Sequence, residues 1–247
     1  MKDDNYLYGR HPILDAIKAD TPISKVFLQQ GTTGDFEKEL RQLTRERDIP
    51  VQHVPKDKLN RMMRGNHQGV LALVAPMQFS QLDALLPFLY ESGTTPLVLL
   101  LDGVTDVRNL GAIARSAEVL GAHALVVPLK GSALINSDAV KTSAGAIMRL
   151  PVCRVRSLTN TVEELQQSGV RIVASTLEGD RELSACDLTG PTALVVGSED
   201  EGVNRAILRR ADDRCIIPQS GETDSLNVSV AAGIMLYECA RQRRASN

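Results

Sequence analysis

The chain has 247 residues, 43% of them apolar, and a formal net charge of −2. That is enough for one large domain or two modest ones with a real core, and it excludes both disorder and a basic coat that holds nucleic acid by charge alone. Aromatic residues make up only 3%, with no tryptophan, which argues against a base-stacking platform of the RRM or OB type.

In chain order, residues 1–75 read as a small α/β unit. Apolar spacing predicts helices over Pro12–Ala19, Phe36–Arg47 and Lys56–Met63, and strands over Lys25–Leu28, Val51–Val54 and Gly69–Val74. Residues 2–75 are about +2 and the remainder about −4, a mild asymmetry that points the first unit toward an anion. Residues 76–95, with Pro76, Pro87 and Gly93, read as a linker holding a helical turn or more. From residue 96 to 247 the pattern is a second, larger α/β domain. Leu97–Leu101 is a continuous apolar run, as in a strand buried on both faces. Similar strands are expected at His123–Val127, Val152–Val155, Val170–Ala174, Ala193–Val196 and Cys215–Ile217. Helices are expected at Leu110–Leu120, Asp138–Ala146, Thr161–Gln167 and Val203–Arg210. The alternation predicts a mostly parallel sheet covered by helices.

No apolar run approaches the roughly 20 residues of a membrane span, and the Met1–Tyr6 segment has no apolar signal region. Cys153, Cys186, Cys215 and Cys239 lie too far apart for a Cys-x-x-Cys motif, and the four histidines show no ligand spacing. A reduced, cytoplasmic protein without a metal site is expected.

Three segments carry chemistry. The first runs from Leu101 to Ala117, off the end of a strand into a helix, the edge at which open α/β sheets bind ligands. Gly111, four residues before Arg115, would leave room beside an arginine able to fork onto a phosphate. Asn109 could equally cap the helix and Arg115 be solvated. The second is Gly197-Ser198-Glu199-Asp200-Glu201-Gly202. Its glycines have P-loop spacing, but the Lys-Ser/Thr of a P-loop is missing. Three carboxylates there suit an uncharged or cationic ligand, a sulfonium included; an ordinary acidic turn is the plain alternative. The third runs from Ile216 to Gly233, an apolar strand, a polar loop and a helix. Asp224 or Ser225 is the expected N-cap. The small or polar Ser225, Asn227, Ser229, Ala232 and Gly233 read as one helix that packs closely against another segment or a ligand.

Together these segments resemble the SpoU, or TrmH-like, branch of the SPOUT RNA methyltransferases. The resemblance rests on Asp106, Asn109, Gly111 and Arg115, on Gly-x-Glu-x-x-Gly at Gly197–Gly202, and on Ser-Leu-Asn-Val-Ser-Val-Ala at Ser225–Ala231. Tyr8-Gly9-Arg10-His11-Pro12 and His67-Gln68-Gly69-Val70 look like the small ribosomal-protein-like substrate domain of such enzymes, and the whole is most similar to the RlmB type. The resemblance implies a deep trefoil knot in the carboxyl-terminal domain, an exception to unknotted topology, and a homodimer. It implies S-adenosylmethionine held by Gly197, Ile217 and Leu226. It implies methylation of a guanosine 2′-hydroxyl in the peptidyl-transferase region of 23S rRNA, with transfer RNA or another ribosomal site as the alternative. Asn109, Arg115, Glu199, Ser225 and Asn227 match the family's catalytic positions. In the first domain Arg10, Lys56, Arg61 and Arg64 are expected to hold RNA. A non-catalytic RNA-binding protein on the same scaffold is a weaker reading, because all five catalytic positions are intact. A dehydrogenase falls further behind, because no Gly-x-Gly-x-x-Gly follows a strand.

Overall fold

The computed structural model describes residues 5–221 and 225–245. They form two compact units, one of Met1–Gln78 with Leu134–Ser137, the other of Phe79–Ala133 with Asp138–Asn247.

The first unit contains β1 (Tyr6–Tyr8), α1 (Arg10–Lys18), β2 (Ile23–Gln29), α2 (Asp35–Glu46), β3 (Val51–Val54), α3 (Lys56–Met62) and β4 (Val70–Val74). Its four-stranded sheet has the order β1-β4-β2-β3, with only β2 and β3 parallel. Side chains alternate across a strand, and β2 uses both sides. Val26 and Leu28 pack with Ile13 and Ile17 of α1 and Leu40 of α2. Phe27, between them, packs on the opposite face with Leu59 of α3 and Leu71 and Leu73 of β4.

The second unit contains α4 (Leu82–Glu91), β5 (Leu97–Leu101), α5 (Val107–Val119), β6 (Ala124–Pro128), α6 (Ser137–Thr142), β7 (Val152–Val155), α7 (Leu158–Gln167), β8 (Arg171–Ser175), β9 (Arg181–Glu182), β10 (Thr192–Val196), α8 (Arg205–Leu208), β11 (Asp213–Ile216) and α9 (Val228–Ala245). The sheet order is β7-β6-β5-β10-β8-β11-β9, and every pairing in it is parallel. All five residues of β5 are at most 1% exposed, as a strand covered on both faces requires. One face packs Val98, Leu100, Val126 and Val195 against Leu86 of α4, Val162 and Leu165 of α7 and Ile207 of α8. On α9, Met235, Leu236 and Cys239 are fully buried, and this helix lies against α5 and β10.

The segment expected to be a linker holding a helical turn or more carries a ten-residue helix, α4, that packs into the second unit. Its Leu86 belongs to the core of the second unit, and the helix tolerates Pro87 in its interior. Among the described residues no helix is long and apolar enough to cross a membrane.

The carboxyl-terminal end of α9 is latched by one side chain. The Arg243 guanidinium donates to the backbone carbonyls of Thr95 (2.9 Å), Pro96 (2.9 Å), Leu188 (3.2 Å) and Gly190 (2.7 Å). It therefore closes the turns that lead into β5 and β10. Nearby, His123 Nδ1 accepts the Leu97 backbone N–H at 2.9 Å. Burial and then the Arg243 charge hold the His123 pKa below its ordinary value.

Two outcomes follow from this corner. Arg243→Ala, which orphans several carbonyls, is expected to cost about 2–3 kcal/mol in urea unfolding. Because the folded-state His123 pKa is lowered, its stabilising share is full above about pH 6.5 and is lost as pH falls through the folded value. His123→Asn, which keeps an acceptor for the Leu97 N–H and does not titrate, should flatten that part of the urea midpoint's decline between pH 7.5 and 5.

Candidate active site

The strand order reverses at the junction of β5 and β10. From β5 the chain steps outward through β6 and β7, while β10, β8 and β11 lie on the other side. Ligands bind at such switch points, beyond the carboxyl ends of the strands. The two loops leaving this junction are fastened together. Asp102 N–H donates to the Val196 carbonyl at 2.9 Å, and the Asp102 carboxylate accepts the Asn204 N–H at 2.7 Å.

The loop after β10 folds back on itself. Ser198 and Gly202 form a bridge, Gly202 N–H donates to the Ser198 carbonyl at 3.0 Å, and Ser198 Oγ accepts the Glu201 N–H at 3.1 Å. Gly197 makes this possible. A Cβ there would lie 1.9 Å from the Gly202 carbonyl carbon and 2.1 Å from the Val203 nitrogen, so no other residue fits this path.

The fold-back presents Glu199 to two asparagines. Asn109 Nδ2 donates to Glu199 Oε1 at 3.0 Å, Asn227 Nδ2 donates to Asn109 Oδ1 at 3.1 Å, and Asn227 Nδ2 also donates to Glu199 Oε1. The amide orientations are set by helix ends. Asn227 Oδ1 accepts the Ser229 N–H (2.9 Å) and Ser229 Oγ–H (2.5 Å), the geometry of an N-cap on α9. Its amide nitrogen must therefore face Glu199. The cap of α5 is Asp106, which accepts the Arg108 N–H at 2.6 Å. Asn109, one possible cap from sequence, is thereby left free for Glu199. Ser225 is exposed and lies before α9, so it does not cap that helix; Asp224, the other expected cap, is outside the described residues.

A cavity of about 500 Å³ opens beside this cluster. Gly197, Glu199, Ile217, Ser225 and Leu226 all line it. Its wall also includes Thr176, Glu178, Asp200, Glu201, Gln219 and Val228. Among the described residues its four carboxylates face one cation, Arg205, which suits a ligand of cationic character; apolar Val196, Val203 and Leu208 offer a surface for a flat ring. Asn109 and Asn227 stand behind Glu199 and do not line the cavity.

Arg115 is not part of this cluster. It is exposed on α5 and makes no hydrogen bond or ion pair among the described residues. Six residues separate it from Asn109, about 9 Å of helix rise and a third of a turn round the axis. Nor does Gly111 make room for it. A Cβ at Gly111 would lie 2.0 Å from Thr142 Oγ1, so this glycine serves the packing of α5 on the end of α6. Gly233 differs, because a Cβ there would meet Ser116 Oγ of α5 at 3.8 Å, an ordinary contact that does not require a glycine. The residues that sequence reasoning missed are Asp102 and the β8 loop residues Thr176 and Glu178. The position of Asp102 directly after a buried strand was the available signal; nothing local marks the other two.

In the first unit, Arg10 and Lys56 line a separate cavity of about 640 Å³. Arg61 and Arg64 are exposed outside it, with Arg61 Nε donating to the Asp57 carbonyl at 3.3 Å.

Fold and site define an α/β protein with an acid-lined cavity at the switch point of a parallel sheet. Residues 96–237 match the SpoU rRNA methylase family, and residues 6–80 match the RNA 2′-O ribose methyltransferase substrate-binding domain. The chain is 34% identical over 239 residues to YacO of Bacillus subtilis (strain 168), named for the TrmH family of tRNA/rRNA methyltransferases, covering 97% of this chain and 96% of that one. It is 40% identical over 238 residues to an uncharacterised tRNA/rRNA methyltransferase of Mycolicibacterium smegmatis, covering 96% and 76%. The SpoU methyltransferase AviRb of Streptomyces viridochromogenes, solved with S-adenosylmethionine, superposes with a TM-score of 0.61 at 29% identity, covering 98% of this chain and 91% of that one. The chain belongs to the SpoU rRNA methylase family. It is an RNA ribose 2′-O-methyltransferase that uses S-adenosylmethionine.

Asn227→Asp keeps an acceptable helix cap but sets a second carboxylate against Glu199. The expected result is faster amide exchange across residues 197–203 with a urea midpoint close to wild type.

Proposed function

We propose that the protein methylates the 2′-hydroxyl of a guanosine in the peptidyl-transferase region of 23S rRNA. The Asn109–Glu199–Asn227 cluster beside an acid-walled cavity is the observation that carries the chemistry; the guanosine and its ribosomal site rest on the sequence motifs of both domains. Gly197, Ile217 and Leu226 would hold S-adenosylmethionine, Gly197 through its backbone and the other two through apolar contact. When bound, its sulfonium supplies an electrophilic methyl group, and the surrounding carboxylates favour that positive charge.

The chain's own residues have separable tasks. Glu199 Oε1 is already an acceptor for two amides, which fits an organiser of the loop better than a base. Asn109 and Asn227 fix that carboxylate and tie the starts of α5 and α9 to the loop after β10. Ser225, at the cavity wall, would meet the ribose. Arg115, permanently charged and without a partner here, would hold a phosphate beside the target ribose and stabilise the developing oxyanion. In the first unit, Arg10, Lys56, Arg61 and Arg64 would bind the RNA.

We further assign the protein to a cytoplasmic homodimer with a trefoil knot in residues 96–247. A stripe of Val230, Ile234 and Tyr237, 37–57% exposed along α9, supports the dimer. These three positions follow one helix face, and a face so apolar on a helix otherwise packed against its own domain suits a second copy.

Arg115→Ala should abolish methyl transfer to 23S rRNA while calorimetric S-adenosylmethionine affinity stays within about threefold. Wild-type turnover in that variant would remove Arg115 from the mechanism. Mapping 2′-O-methyl sites on ribosomal and transfer RNA with and without the protein tests the target; a modified tRNA position with no change in 23S rRNA would overturn the assignment.

A further inference from the structure

The cavity in the first unit has a feature that binding by charge alone does not need. Its wall offers hydrogen-bond donors in fixed orientations. Gln68 adopts φ +52°, a left-handed conformation uncommon outside glycine and often stored at functional sites. Its Oε1 accepts the Arg10 backbone N–H at 3.0 Å. The oxygen must face that N–H, so the amide nitrogen is turned outward, with no partner among the described residues.

A second amide is oriented through His67, which is 5% exposed. His67 Nδ1 accepts the Gly69 N–H at 3.0 Å, so Nε2 carries the ring proton and donates it to Asn60 Oδ1 at 2.8 Å. The Asn60 amide nitrogen is thereby left as a donor with no partner among the described residues. Arg10 is held over the Phe36 ring at 5.0 Å, and its Nε donates to the Gln68 carbonyl at 3.4 Å. Lys56 adds a second cation, and no carboxylate lines the cavity.

From this arrangement we propose that the cavity reads one unpaired RNA nucleotide, with its phosphate on Arg10 and Lys56 and an acceptor edge of its base on the Asn60 and Gln68 amides. The inference rests on the reading of the first unit as an RNA-binding domain and adds a base preference to it. The lining also holds the Gln29 and Asn66 amides, which no hydrogen bond among the described residues orients, so the preference comes from the two oriented donors, Asn60 and Gln68. These favour guanine, through O6 and N7, and uracil, through its carbonyls. They disfavour adenine and cytosine, whose exocyclic amines would meet another donor. Bases outside a helix expose these edges, as loops and bulges do. His67 is a positioning residue that acts through Asn60.

The test is fluorescence anisotropy of the full-length protein with labelled decaribonucleotides of uridine, alternating guanosine–uridine, cytidine and adenosine at one salt concentration. Wild type should bind the first two at least about tenfold more tightly than the last two, the scale of a good base-edge contact. Asn60→Ala and Gln68→Gly, the latter compatible with the left-handed backbone, should bring the ratio to within twofold. His67→Phe should lower the same ratio, which a purely structural role would leave unchanged. Lys56→Ala should weaken all four oligonucleotides alike and reduce the salt slope by about one. S-adenosylmethionine affinity by calorimetry should stay at wild type in every variant. Equal binding of the four oligonucleotides by wild type, or an intact ratio in Asn60→Ala, overturns the base-reading proposal while leaving RNA binding standing. Failure to bind any of them overturns the RNA-binding reading of the unit and the proposal with it.

Discussion

The chain passes itself at Gly197 more closely than any side chain allows. A Cβ there would fall 1.9 Å from the backbone of Gly202, and the rest of the site hangs on that absence. The loop after β10 can fold back only because nothing projects from this position. The fold-back aims Glu199 at Asn109 and Asn227, and it seats the loop against the end of β5, where Asp102 receives the Asn204 N–H. One missing methyl group thus couples a strand end, a helix start and the cap of α9. The cavity wall is a consequence of the same turn, since Gly197, Ser198, Glu199, Asp200, Glu201 and Gly202 all contribute to it.

The helix ends complete the constraint. An asparagine amide can face either way, and a site that depends on its orientation needs a second bond to fix it. For Asn227 that bond is the N-cap of α9, and for Asn109 it is the amide nitrogen of Asn227. Secondary structure and active-site geometry are therefore the same hydrogen bonds counted once. A change at Asn227 reaches Glu199 although Asn227 itself does not line the cavity.

Much of this was legible in the sequence, and the failures have physical causes. Leu97–Leu101 was plain because a parallel strand covered on both faces is an unbroken apolar run. Val51–Val54 and Val152–Val155 also have the same limits in sequence and structure, although Gln52, His53 and Arg154 interrupt their apolar residues. The helix at Leu82–Glu91 was obscured by Pro87, whose local cost is outweighed by tertiary burial of Leu86 and Leu89. The three ligand motifs were visible as spacings, yet their glycines were only partly interpretable. Gly111 accommodates Thr142 and Gly197 accommodates its own loop, and both neighbours are distant or folded back in ways that spacing does not encode. The role of His67 was only half legible: Gly69 stands with it in His67-Gln68-Gly69-Val70, but Asn60, seven residues earlier, is marked by no spacing.

Electrostatics explains why the arginine and the carboxylates are kept apart. The cavity is lined by Glu178, Glu199, Asp200 and Glu201 against Arg205, and Arg115 placed among those carboxylates would pair with one and lose its attraction for phosphate. Arg115 instead lies six residues along α5 from Asn109, about 9 Å of rise and a third of a turn round the axis, exposed and without a partner among the described residues. An acidic wall for a cationic cofactor and an unpaired cation for a polyanionic substrate impose opposite demands on a small space. Setting Arg115 on α5 six residues beyond Asn109, whose amide holds Glu199, meets both, because the helix separates the arginine from the point where the acidic loop is anchored.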